Sequence, residues 1–129
     1  MGAWDTGAFD NDDAADFTAR LAGAPRWDTV QAVLTNAVNA DFLEAPEACE
    51  AVAASAFVAA AYSGDQTLVP DAAAGVLTLL GPVSATLRVL AAEALRKVAD
   101  GSELSELWDE GEDGGAVWVE TLSAIGVRL

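Results

Sequence analysis

Residues 44–64 read EAPEACEAVAASAFVAAAYSG, and this stretch decides the fold. Pro46 suits the first turn of a helix, where a backbone N–H has no intrahelical acceptor to lose. Glu47 and Glu50 put negative charge near the positive end of the helix dipole, and Gly64 supplies the stop. Between Ala48 and Ala61, alanines are interspersed with Val52, Phe57 and Val58. A helix so apolar must pack closely on neighbours on more than one side, which makes it the expected centre of the molecule.

The flanking sequence supplies those neighbours. From Asp12 to Ala22, Ala14, Phe17 and Leu21 recur at helical spacing behind the capping candidates Asp10 and Asn11, with Gly23-Ala24-Pro25 as the stop. Asp28 is the expected cap of a second helix, with Val30, Val33, Leu34, Ala37 and Val38 on its apolar stripe and Gln31, Thr35 and Asn39 opposite. Beyond Gly64, a short helix runs through Leu80 to Gly81-Pro82. A longer one follows, lined by Val83, Leu87, Leu90, Ala91, Ala94, Leu95 and Val98, and stops at Gly101. Ser102 caps a short acidic helix carrying Leu104, Leu107 and Trp108 inward; residues 111–115 form a Gly-rich acidic loop, and Trp118, Leu122, Ile125 and Leu129 mark a last helix. No stretch alternates as a strand bounded by hairpin turns would. The expected fold is all-α: a single compact, irregular bundle of six or seven helices over residues 1–129, with an extended N-terminal arm at residues 1–10.

Charge and composition narrow the chemistry. The 129 residues carry 21 acidic and 6 basic side chains, for a formal net charge of −15, and no His. Without His there is no Ser-His-Asp or Cys-His nucleophile pair and no His-rich metal site. No Walker motif, GxGxxG, GxSxG or CxxC is present, and the expected catalytic set is empty. The one cysteine, Cys49, has no internal disulfide partner and reads as a small buried hydrophobe, with the neighbouring Glu47 and Glu50 opposing thiolate formation. The negative charge repels phosphate backbones and anionic lipid, so neither nucleic acid nor membrane is the expected partner. The acidic N-terminus lacks the form of a secretory signal, and the longest uncharged runs, Ala51 to Gly64 and Ala72 to Leu87, fall short of a membrane span. A cytoplasmic location is expected.

Two acidic constellations stand out. Between Asp100 and Asp113, seven carboxylates occur without a base, among them Glu103, Glu106, Asp109 and Glu110. Such a run suits a basic protein partner, because complementary charge speeds association and suppresses wrong partners. The second is Asp10, Asp12 and Asp16, whose oxygens could hold Ca²⁺ or Mg²⁺ as a structural clip or in a metal-assisted enzyme. It is not an EF-hand: counted from Asp10, the sixth position is Ala15 and the twelfth Leu21, where the loop needs Gly and Glu. Asp16 and Arg20 have the spacing of an i,i+4 ion pair, as do Glu93 and Lys97.

The N-terminal stretch MGAWDTGAFDNDDAADF, residues 1–17, resembles the opening of a bacterial family, domain of unknown function 4259. That family typically begins Gly-Ala-Trp-Gly-Thr-Gly, then Phe-Asp/Glu-Asn-Asp and an Ala-rich helix. Asp5 stands where the family usually has Gly. Leu43-Glu44-Ala45-Pro46-Glu47 and Ser102-Glu103-Leu104-Ser105-Glu106-Leu107-Trp108 are also similar to family features. The resemblance implies no activity and no catalytic residue. In physical terms, Trp4 and Phe9 read as aromatic anchors that fold the arm over the helices; the alternative, functional reading makes the same arm a recognition edge, with Trp4 beside Asp5 and Asp12.

The expected function is a non-enzymatic protein-binding module, immunity-like or inhibitory towards a basic protein, using Glu103, Glu106, Asp109, Glu110, Trp4 and Asp5. No cofactor is expected under it. Two alternatives come from other classes: a divalent-cation protein built on the N-terminal Asp cluster, and a structural oligomer subunit with the Ala-rich helix at its interface.

Overall fold

A computed structural model describes residues 12–65, 68–69, 73–100 and 122–129. They form α1 (Asp12–Gly23), α2 (Trp27–Asn39), α3 (Ala45–Ser63), α4 (Ala74–Leu80) and α5 (Ala85–Asp100), and a helical turn at 122–126. No β-strand occurs among the described residues, and the fold is the all-α bundle expected. The arm at 1–10, the helix begun by Ser102, the loop at 111–115 and Trp118 lie outside the described residues.

The Ala-rich helix α3 is the axis. Residues 51–60 are buried without a break, so every face of the helix is covered. α1, α2, α4 and α5 all pack on it, and α2 also packs on α5. Alanine makes this possible, because short side chains let helix axes approach closely while still excluding water. Where α3 meets α5, the fully buried Ser55 donates its hydroxyl to the Ala91 carbonyl at 3.4 Å, which satisfies a polar group that would otherwise be costly there. Where α3 meets α1, Phe17 and Phe57 pack edge to face with ring centroids 6.1 Å apart.

Local chemistry sets the helix ends. At the start of α3 the Glu44 backbone N–H donates to Glu47 Oε1 at 3.3 Å, half of a capping box. At its end Gly64 adopts the left-handed conformation (φ +79°) and donates its N–H to Ala60 O at 2.9 Å, as the sequence predicts. The start of α2 differs from expectation. Arg26, not Asp28, is the N-cap residue, with no side-chain bond, because Trp27 already takes the first helical position. Asp28 therefore acts through the helix dipole from the first turn instead of capping. α5 begins behind Ser84, whose hydroxyl accepts from the Leu87 N–H at 3.2 Å, an N-cap bond not expected from the sequence.

The register of α5 against α3 is antiparallel: Arg88 meets Tyr62, Ala91 meets Ser55, and Lys97 reaches the Asp41 carbonyl ahead of α3. Leu122 and Ile125 of the C-terminal turn are buried, and Leu129 packs against the core.

Candidate functional site

Two poles of different character lie at the ends of α3, which its 19 residues hold about 28 Å apart. Four carboxylates gather at the N-terminal pole: Asp13 and Asp16 from α1, and Glu47 and Glu50 from α3, with Glu44 just ahead. Arg20 is their cation. Its Nη2 lies 2.7 Å from Glu50 Oε2, and its guanidinium carbon stands 5.7 Å from the centroid of the Phe17 ring. The structure thus corrects the expected Asp16–Arg20 pair: Arg20 crosses to α3, where an ion pair ties two elements together. Lys97 likewise donates to the Asp41 carbonyl at 3.3 Å in place of pairing with Glu93.

Electrostatics at this pole are unfavourable to charge. Burial raises the Glu50 carboxyl above its ordinary pKa of 4.5; Arg20 opposes that rise, while Asp13, Glu47 and Asp16 add to it. Asn36 of α2 relieves part of the crowding by donating Nδ2–H to Glu47 Oε2 at 3.1 Å. The adjacent Cys49 is buried, as its Ala-rich surroundings predict. Its thiol is pushed up to about 11, chiefly by burial, with Asp13 and Glu50 adding to the rise.

The acidic partner residues read from the sequence, Glu103, Glu106, Asp109 and Glu110, lie outside the described residues, as do Trp4, Asp5 and Asp10 and the side chain of Asp12. Asp16, the remaining member of the suggested cation cluster, is exposed on α1. Among the described residues no group of three or more His, Cys, Asp or Glu side chains, the α1–α3 carboxylates included, is arranged to hold a metal ion. Sequence reasoning missed the gathering of α1 and α3 carboxylates because Arg20 and Glu50 are 30 positions apart, beyond any local spacing rule.

The surface depressions are open. One of about 510 Å³ runs along α2 past Asp28, Gln31, Thr35, Asn36 and Asn39, the polar face expected from the sequence. Another of about 230 Å³ lies between the ends of α3 and α4, lined by Ala60, Gly64, Leu77, Gly81 and Pro82 among others. Neither set of lining residues contains a nucleophile paired with a base. Among the described residues, no helix is long and apolar enough to cross a membrane.

No match is found among the curated proteins, and none among the solved structures. The model of a family described as domain of unknown function (DUF4259) matches residues 2–121, nearly the whole chain, including all three stretches that carry the resemblance apart from Met1. By that match, the chain belongs to the DUF4259 family.

Proposed function

We propose that this protein is a non-enzymatic, cytoplasmic protein-binding module that acts as an immunity-like or inhibitory partner of a basic protein. Uncompensated negative charge carries this function. Of the six basic side chains, four are engaged within the fold: Arg20 with Glu50, Arg128 with Asp65, Arg88 with Tyr62 and Leu129, and Lys97 with Asp41. At the α1–α3 pole the single Arg20 faces Asp13, Asp16, Glu47 and Glu50, and the sequence from Asp100 to Asp113 holds seven acids and no base. Such a field raises the encounter rate with a cationic surface and disfavours neutral or acidic competitors. Glu103, Glu106, Asp109 and Glu110 supply the main contact, and Trp4 beside Asp5 adds an aromatic edge.

Replacing Glu103, Glu106 and Asp109 together by Lys tests the assignment. Capture of the basic partner is expected to weaken strongly at low salt and to differ less at high salt, where exposed charges are screened. Capture unchanged by the triple substitution at low salt sinks the proposal.

A further inference from the structure

The segment at 122–129 is fastened to the bundle differently from the five helices. Its own N–H groups bond locally: Val127 donates to the Ser123 carbonyl at 2.9 Å, Arg128 to that of Ile125 at 3.0 Å and Leu129 to that of Gly126 at 3.1 Å. Leu122 and Ile125 are buried, and Leu129 packs against the core. Two arginines tie the segment down, one from each side of the contact. Arg88 of α5 stands 3.4 Å from the Tyr62 ring centroid, and its Nε–H and Nη2–H both donate to the Leu129 main-chain oxygen, the first at 3.0 Å. Arg128 of the segment reaches back to Asp65, just beyond the end of α3, with Nε 3.0 Å from Oδ2.

The extent of this fastening sets how the segment behaves. Residues 51–60 of α3 are covered without a break and cannot be uncovered unless the core opens. Residues 122–129 have two buried side chains and five exposed residues, and the Arg128–Asp65 pair, with its side chains 42% and 24% exposed, holds weakly in water. A segment with few buried apolar contacts and solvent-accessible ties opens at lower cost than the whole domain. The five helices lie inside the residues that the family model matches, whereas this segment follows the last of them.

We propose that residues 122–129 are a strap that opens and closes as one unit over the corner between α3 and α5 while the bundle stays folded. Closed, the strap gives its Leu129 oxygen to a guanidinium already stacked on an aromatic ring, so Arg88 is the latch and Arg128 the second tie. Opening frees the Arg88 donors and uncovers the apolar ground beneath Leu122 and Ile125. The strap thereby controls whether a cation and an apolar surface are available together on an otherwise acidic chain. Movement as a unit separates a strap from a fraying end, where each residue loosens by itself.

Amide-resolved hydrogen exchange of the full chain tests this, with Val127, Arg128 and Leu129 compared against residues 51–60. In the unsubstituted chain the three amides are expected to exchange more slowly than in the denatured chain but faster than α3, at rates that stay flat in low urea because opening the strap exposes little surface. Arg88→Ala is expected to speed all three by a common factor of about ten, including Val127, whose bond to Ser123 the arginine does not touch, and to leave α3 unchanged. Arg128→Ala, which removes only the exposed pair, should speed the same three by about two- to fivefold. Acceleration confined to Leu129 overturns the proposal, as does equal acceleration of α3. Should Arg88→Ala fail to fold, Arg128→Ala and the urea series on the unsubstituted chain decide: rates matching those of α3, or those of the denatured chain, overturn it.

Discussion

Glu50 shows how burial and a neighbouring guanidinium compete at one side chain. Its carboxyl is half-buried, faces Asp13, Asp16 and Glu47, and has Arg20 against it; burial and the neighbouring carboxylates outweigh the guanidinium and raise its pKa. A group whose pKa is higher folded than unfolded binds its proton more tightly in the native state. Its contribution is therefore full below the ordinary value of 4.5 and lost as pH rises through the raised value. Glu50→Gln is expected to raise the melting temperature at pH 7 and to flatten the gain in stability that Glu50 is expected to give the unsubstituted chain on mild acidification. A drop at pH 7 would mean that the Arg20 pair outweighs the burial. Cys49 follows the same physics with a chemical readout. Buried, with its thiol pushed up to about 11, it should react with a thiol reagent at pH 8 far more slowly in the native protein than in denaturant. Equal rates would show that the α1–α3 contact opens readily.

Helix by helix, what the sequence disclosed was local. Pro46 and Gly64 bracketed α3, its unbroken apolar character gave its central place, and the stripe from Leu87 to Val98 marked the buried face of α5. What it hid was relational. Arg20 had an acid four positions back in Asp16, and only the packing of α1 on α3 brings Glu50 closer. The clasp of Arg88 on Tyr62 and Leu129 joins residues 26 and 41 positions apart, and the Asp28 cap failed because Trp27 entered the helix one residue earlier. Two substitutions test the element-level picture. Ala56→Leu pushes three extra carbons into a fully buried face of α3 and should destabilise by roughly 1–3 kcal/mol, read from denaturant midpoints at constant m-value. An unchanged midpoint would mean α3 is less tightly enclosed than its burial implies. Ser84→Ala removes the acceptor for Leu87 N–H and should cost about 1 kcal/mol, whereas Ser84→Thr keeps a hydroxyl at the cap and should retain most of that stability.

At the scale of the whole molecule, the chain divides its labour along α3. Carboxylates crowd the N-terminal end, Arg88 clasps Tyr62 and Leu129 at the other, and most of the few cations hold the elements together. Composition announced the charge, but only the packing of α1 on α3 reveals that Asp13, Asp16, Glu47 and Glu50 share one end of α3. The most direct test of the protein-binding account is to purify the tagged chain from its native host at moderate salt and identify what accompanies it by mass spectrometry. The account predicts one stoichiometric basic protein, released as salt rises and absent when Glu103, Glu106 and Asp109 are reversed in charge. A chain that emerges without a partner, or with one that the charge-reversed variant retains, would contradict it.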